Sequence, residues 1–174
     1  MRKKIVSPTA ERLAKGNAIS KACAVLTTLS TAAPLRLNEI AEATGLNRVT
    51  TLRILDDLTD AGYLTRSGTP PRYDFGNEVL AIAAASSRNF NPRELIRPSL
   101  MRLADLSGDT VLLSVRSGAE AICVERQFGE FPIRANYLDV GSRRPLGIGA
   151  GSMALLASLP ASERSAALEI TCTQ

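Results

Sequence analysis

The segment over residues 37–75 reads LNEIAEATGLNRVTTLRILDDLTDAGYLTRSGTPPRYDF. It predicts a short helix that stops at Gly45, a longer helix that closes at Gly62, and two strands joined by a turn at 68–71. A short helix, a glycine turn and a second helix form a helix-turn-helix, and the strand pair adds a wing. The stretch therefore predicts a winged helix-turn-helix.

A further helix is predicted upstream, over residues 16–33, where Pro34 ends it. Asn38 is expected to cap the helix that follows. The apolar stripe of the upstream helix, with Cys23 as a small core residue, is expected to comprise Ile19, Ala22, Cys23, Leu26 and Leu29.

The helix between Asn47 and Gly62 has two contrasting faces. A turn of about 100° per residue places Ile54, Leu55, Leu58 and Ala61 toward the core. Arginine pairs with guanine, threonine and asparagine bond phosphates or base edges, and valine contacts thymine methyl groups. The opposite face therefore predicts a reader of the DNA major groove, with an ordinary solvated helix surface as the alternative. The candidate DNA contacts are Arg36, Asn38, Asn47, Arg48, Val49, Thr50 and Arg53, with Arg66 and Arg72 in the wing.

The C-terminal half has a different pattern and is predicted to be α+β. Its first element is a helix that Pro98 is expected to kink or divide. Apolar alternation then predicts antiparallel strands near 110–116, 120–127 and 131–137. The apolar face of the helix is expected to comprise Leu95, Leu100, Leu103 and Leu106. The expected organisation is a basic disordered arm at 1–15, the winged domain at 16–76, a linker helix at 77–91 and a second domain at 92–174.

The composition of the 174 residues excludes several classes of function. There is no His, and the three Cys are far apart, so His-based triads and His- or Cys-ligated zinc are excluded. The chain has 21 Lys and Arg against 17 Asp and Glu, and most of the surplus lies in residues 1–80. This balance permits nucleic-acid binding. Since no stretch resembles a signal peptide or a membrane span, we expect a cytoplasmic protein without a membrane partner. Because His residues and C-x-x-C pairs are missing, we expect neither an enzyme nor a metal or cofactor.

A glycine-rich turn precedes the segment MALLASL. Gly147 and Gly149 begin a G-x-G pattern, but Ser152 stands where a dinucleotide site needs its third glycine. A turn that leads into a helix presents free backbone N–H groups, so an anion site is predicted, with a flexible loop whose arginines face water as the alternative. The candidate ligand contacts are Arg143, Arg144, Gly147, Ile148, Gly149, Ala150 and Gly151.

Two clusters resemble the IclR family of bacterial transcriptional regulators. The first is LRLNEIAEATGLNRVTTLRILDDLTDAGYLTR, and the second runs from LADLSGDTVLLSVRSG to VGSRRPLGIGAGSMALLASLP. The resemblance implies a homodimeric or tetrameric repressor or activator with a partial GAF-like α/β domain that binds a small organic acid. Ser152-Met153 replaces the Gly-Lys pair common in the family, and Val49 replaces a small polar residue.

The resemblance also implies further segments beyond residue 174, so the effector domain is expected to be incomplete. The chain is then expected to be a fragment, the product of a truncated reading frame or a shortened paralogue. The leading hypothesis is a regulator that binds a palindromic double-stranded DNA operator and responds to a carboxylate effector. The alternative is a winged-helix protein–protein adaptor that binds neither DNA nor effector. An enzyme is disfavoured because acid–base groups are scarce.

Overall fold

The computed structural model describes residues 8–87, 91–131 and 138–172. Two compact units divide the chain, residues 1–90 and 91–174. The second domain was predicted to begin at residue 92. The helices and strands of the first unit are α1 (Pro8–Ala14), α2 (Ala18–Ala32), α3 (Leu37–Thr44), α4 (Arg48–Asp60), β1 (Leu64–Ser67), β2 (Arg72–Phe75) and α5 (Asn77–Ser87).

Local hydrogen bonds fix where these helices begin and end. The Asn17 side chain accepts a hydrogen bond from the Ser20 N–H at 3.0 Å, and Asn47 accepts one from Thr50 N–H at 2.8 Å. Each asparagine thus satisfies a backbone donor that the first turn leaves free. Gly45 ends α3 with φ of 72°, a conformation in which glycine avoids a Cβ clash.

The expectation that Asn38 caps α3 is wrong. The helix begins at Leu37, and the Arg36 backbone N–H donates to the Glu39 carboxylate at 2.7 Å. Asn38 therefore lies inside the first turn. Its propensity for capping is overridden by the glutamate three residues after Arg36, which supplies the acceptor.

The core of the first unit joins the helices to the wing. β1 and β2 pair antiparallel, with Leu64 opposite Phe75. Leu35 and Tyr73 exchange backbone hydrogen bonds of 3.1 and 2.8 Å, so the segment before α3 extends the wing sheet. The buried side chains of this core are Val25, Leu29, Ile40, Leu55, Leu64 and Tyr73.

The N-terminal segment differs from the arm expected at 1–15. Its part from residue 8 onward is helix α1, where Ala10 and Ala14 are buried. Small side chains allow α1 to pack closely on α2. The basic residues Arg2, Lys3 and Lys4 lie outside the described residues.

The inward face of α2 agrees only in part with the one expected, since Leu29 is buried and Leu26 packs against the core. Ile19 is 75% exposed and Cys23 is exposed, whereas Ala24, Val25 and Thr28 are buried with Leu29. Small apolar residues occupy more than one side of α2, so periodicity alone does not define its buried face. The expectation for the end of α4 is also wrong, because Ala61 was expected to face the core and is exposed.

The second unit contains one three-stranded antiparallel sheet in the order β3-β4-β5 among its described residues. Strands β3 and β4 lie within a residue of two expected strands, whereas β5 was not expected and most of the predicted third strand (132–137) lies outside the described residues. The elements are α6 (Pro92–Ser107), β3 (Val111–Ser117), β4 (Glu120–Gln127), β5 (Arg143–Pro145), α7 (Ala150–Ala157) and α8 (Ala161–Cys172).

Helix α6 differs from its expected form in two respects. It runs through Pro98 as one helix, because a proline removes one hydrogen bond while the turns on either side continue. Its buried residues are Leu100 and Ala104. The other leucines of the expected apolar face are exposed, namely Leu95, Leu103 and Leu106.

The core of this unit lies between the sheet and the last two helices. Ala121, Leu146 and Ala167 are its buried residues, and leucines of α7 and the following turn pack against them. Among the described residues, no helix is long and apolar enough to cross a membrane.

Candidate nucleic-acid interface and ligand pocket

The first two turns of α4 have one exposed face and one buried face. Val49 is 78% exposed and Leu52 is 38% exposed, while Thr51 and Leu55 on the other side are fully buried. The predicted division of α4 into two faces is therefore correct near its start, with Thr51 as an additional inward residue. Its hydroxyl donates to the Asn47 carbonyl at 3.0 Å, which makes the burial of this polar group acceptable.

Charge divides α4 along its length. Arg48 and Arg53 are exposed near its beginning, whereas the exposed carboxylates Asp56, Asp57 and Asp60 lie in its last turns. Among the described residues, no ion pair involves Arg48 or Arg53. A polyanion would therefore be attracted to the start of α4 and repelled from its end.

The remaining candidates surround this face but differ in their contacts. Arg36 and Asn38 are exposed at the start of α3, and Thr50 is half-buried. Arg66 in the wing approaches Asp56 of α4 at 4.0 Å. Arg72 donates to the Pro34 carbonyl at 3.1 Å and so contacts the turn before α3. The wing arginines are therefore not equivalent.

A cavity of about 650 Å³ lies in the second unit, over β3, β4 and the beginning of α7. Its size is in the range typical of small-molecule sites. Aliphatic side chains form much of the wall, and hydroxyls add polar groups. The lining residues are Thr110, Leu112, Leu113, Ser114, Ala121, Cys123, Leu138, Ser142, Arg144, Ile148, Gly149, Ala150, Gly151, Ser152, Ala154, Leu155 and Ser158.

One end of this cavity carries a cationic side chain. Arg144 lines it, and its Nη1 atom would lie 3.7 Å from a Cβ built on Gly149, the residue that caps α7. The guanidinium is thus close to the first backbone N–H groups of that helix. Helix N-termini and arginine both favour anions, so this end suits a carboxylate.

The neighbouring residue Arg143 has a different environment. Its Nη1 lies 3.4 Å from Glu120 Oε2, and the Glu120 side chain is 1% exposed. Neither Arg143 nor Gly147 is among the residues that line the cavity. Successive side chains of a strand point to opposite faces, which explains why β5 directs only Arg144 into the cavity.

Cys123 on β4 lines the cavity and is buried. Desolvation by burial raises the pKa of this thiol above its ordinary value. The thiol also donates a hydrogen bond from Sγ to the Glu125 carbonyl at 3.5 Å. Cys123 is therefore a neutral, weakly polar wall residue near neutral pH. Among the described residues, no group of three or more His, Cys, Asp or Glu could hold a metal ion.

Comparison with protein families accounts for both units. A model of the IclR helix-turn-helix domain matches residues 18–68, and a model of the C-terminal region of bacterial IclR transcriptional regulators matches residues 84–174. The chain belongs to the IclR family. The expected fold class, a winged helix-turn-helix followed by an α+β effector-type domain, is confirmed.

Individual members of the IclR family show the same relationship. The HTH-type transcriptional regulator KipR from Bacillus subtilis is 28% identical over 90% of this chain and 62% of its own length. Among solved structures, an IclR family regulator from Brucella abortus is 24% identical with a TM-score of 0.68, covering 95% of this chain and 65% of that one. The IclR chain thus spans about three fifths of the length of these relatives.

A third relative was solved with a small ligand. It is an IclR homologue from Microbacterium hydrocarbonoxydans in complex with 4-hydroxybenzoate, 20% identical with a TM-score of 0.67, covering 88% of this chain and 63% of that one. At this identity the likeness concerns the fold alone.

Sequence reasoning missed most of the cavity wall of this IclR chain. Leu112, Ser114 and Cys123 alternate along β3 and β4, so their common face was available from the strand pattern. The same pattern did not indicate that α7 would cover this face. Ser142 and Leu155 are brought to it from distant parts of the chain.

Proposed function

We propose that this chain is a DNA-binding transcriptional regulator of the IclR type that acts in the bacterial cytoplasm. The observation that carries the proposal is the exposed, arginine-bearing first half of α4 in a winged helix-turn-helix. Such a helix fits the major groove with its N-terminal residues toward the base edges. KipR carries the name of a transcriptional regulator, which agrees with this role.

The proposed DNA partner is a roughly palindromic operator bound by a homodimer or tetramer. In this arrangement Arg53 reads a base edge, and Arg36, Asn38, Asn47, Arg48, Val49 and Thr50 contact bases or phosphates around it. Arg66 lies near the wing tip and is suited to phosphate contact, whereas Arg72 acts mainly through its bond to Pro34.

The experiment that tests DNA binding is selection of bound sequences from random duplexes, followed by affinity measurements with the Arg53→Ala variant. Loss of a base contact is expected to cost about 1–3 kcal/mol at the selected site. Arg102→Ala, which removes an exposed arginine of α6, is the matched control and is expected to bind like the wild type. An equal loss on all sequences would assign Arg53 to a phosphate, and no loss would contradict the groove assignment.

The salt dependence of binding separates this function from the protein–protein adaptor. Neutralised phosphates release counterions, so the logarithm of the DNA affinity is expected to fall linearly with the logarithm of salt concentration. If no duplex can be selected at low salt, the proposal of a DNA-binding regulator is overturned and the protein–protein adaptor is favoured.

We also propose that the cavity of the second unit binds a small organic acid as effector. Support comes from its volume, its aliphatic and hydroxyl wall, and the position of Arg144 at the start of α7. The relative solved with 4-hydroxybenzoate shows an acid bound to a protein of this fold. The backbone from Ile148 to Gly151 is the proposed carboxylate contact, with Arg144 beside it.

Calorimetric titration with small aliphatic and aromatic acids, including 4-hydroxybenzoate, tests the effector proposal. Arg144→Ala is expected to weaken binding at least tenfold, since a charge-assisted hydrogen bond is worth about 1.5–3 kcal/mol. Arg143→Ala is the contrasting variant, because it removes a cationic partner of a buried glutamate and is expected to lower stability instead. Saturable binding unchanged in Arg144→Ala would show that this arginine is not the contact.

A further inference from the structure

An apolar side chain occupies the middle of the charged reading face of α4. Val49 is among the most exposed large apolar residues of the described chain, at 78%, and Leu52 is 38% exposed one turn further along. At about 100° per residue, Val49 lies directly opposite Leu58 of the core, with Arg53 on one side and Leu52 on the other. Packing within the first unit therefore does not explain Val49.

The surroundings of Val49 indicate what kind of surface it meets. Arg48 and Arg53 flank it, and Arg36 is exposed at the start of α3. The carboxylates of α4 lie further along, from Asp56 onward. Cations around a small apolar centre complement a polyanion that carries isolated apolar groups. A protein core or a membrane would instead favour a broader apolar patch than these two side chains.

The DNA major groove offers one such apolar group. Thymine carries a 5-methyl group on the groove floor, and the other base edges there present hydrogen-bonding atoms. A branched valine side chain has no hydrogen-bonding group, so it cannot pair with those edges but can exclude water from a methyl group.

We propose that Val49, assisted by Leu52, determines sequence specificity by contacting the 5-methyl group of a thymine in each half of the operator. The inference rests on the proposed DNA-binding function and adds which base the exposed face of α4 recognises. Arg53 beside it supplies hydrogen bonds, while Val49 makes the site prefer thymine at a neighbouring position.

Replacement of thymine by deoxyuridine tests this proposal, since it removes only the methyl group and keeps the pairing. In the best duplex selected by the whole protein, each symmetric pair of thymines is replaced in turn and the Kd is measured. At one position the wild type is expected to lose about fourfold per half-site, which corresponds to about 0.8 kcal/mol for one buried methyl group. In Val49→Ala this thymine–uracil difference is expected to fall to less than twofold.

Ile19→Ala is the matched control, because it shortens an apolar side chain of similar exposure on α2. It is expected to keep the wild-type discrimination. If the protein binds a specific duplex and no thymine replacement changes its Kd, the proposed role of Val49 is overturned. The DNA-binding function would then still hold. Discrimination that persists undiminished in both Val49→Ala and Leu52→Ala would overturn it as well. Failure to select any duplex would instead overturn the DNA-binding function itself.

Discussion

At the scale of single residues, the same side-chain type has different roles at neighbouring positions. Arg143 and Arg144 are adjacent in β5, yet one pairs with buried Glu120 and the other lines the cavity. In the wing, Arg72 bonds a backbone carbonyl, whereas Arg66 faces an aspartate of α4 at 4.0 Å. Composition therefore indicates how much charge is present, while the fold determines where each charge lies.

The Asp56–Arg66 pair is expected to weaken DNA binding. Both side chains are about half exposed, so the pair contributes little to stability, but it holds the carboxylate near the reading face. Asp56→Asn is expected to increase DNA affinity at low salt, with the gain shrinking as salt screens the charges. Asp57→Asn makes the same charge change without releasing Arg66 and is expected to have a smaller effect. Equal affinities of the two variants would contradict a role for the pair.

The buried thiol of Cys123 is expected to react more slowly than the exposed thiol of Cys23. Alkylation requires the thiolate, and burial raises the pKa of Cys123, so its rate is expected to increase only at pH values above those needed for an ordinary thiol. An acid bound in the cavity should slow it further. Site-resolved mass spectrometry at pH 7 and pH 9 measures both rates. Labelling of Cys123 that is faster than that of Cys23 at pH 7 would contradict the burial of Cys123. Labelling of Cys123 that a bound acid does not slow would contradict the proposed ligand site.

At the scale of elements, the start of α4 links stability to recognition. The Asn47 side chain caps the helix that carries Val49 and Arg53 on its exposed face. A capped first turn keeps these side chains in fixed positions. The predicted role of Asn47 as a DNA contact thus coexists with an observed structural role, since its carboxamide oxygen is occupied.

Loss of this cap is expected to destabilise the winged domain. Asn47→Ala should lower the free energy of unfolding by about 1 kcal/mol, and Asn47→Ser should retain most of the stability, because serine also caps. Asn38→Ala changes an asparagine inside the first turn of α3 and serves as the control, with an expected loss below about 0.5 kcal/mol. Urea denaturation measures all three. A similar loss for Asn38→Ala and Asn47→Ala would contradict the specific capping role.

At the scale of the whole molecule, the chain consists of two units with separate cores. One core includes Leu55 and Tyr73, and the other includes Leu146 and Ala167. Among the described residues, none belongs to both clusters. Core substitutions in one unit are therefore expected to affect that unit alone.

Hydrogen exchange with mass spectrometry tests this independence. Leu55→Ala and Leu146→Ala each remove a fully buried leucine and are expected to cost about 2–5 kcal/mol in their own unit. Faster exchange is expected within 8–75 for the first variant and within 92–172 for the second. Leu95→Ala, at a largely exposed position, is the control. Faster exchange throughout the chain in either core variant would show that the two units unfold together.

Elements whose signals are local could be predicted from the amino-acid sequence. The glycine stops at Gly45 and Gly62 and the alternation of β3 and β4 depend on backbone conformation and neighbouring residues, so α3, α4 and the strand pair were predicted. Long-range contacts decided the buried face of α2, the pairing of β5 and the position of α7 over β3 and β4. These depend on contacts between distant segments, such as β5 with β4 and Arg143 with Glu120, and no local pattern encodes which of several apolar or charged faces will be covered.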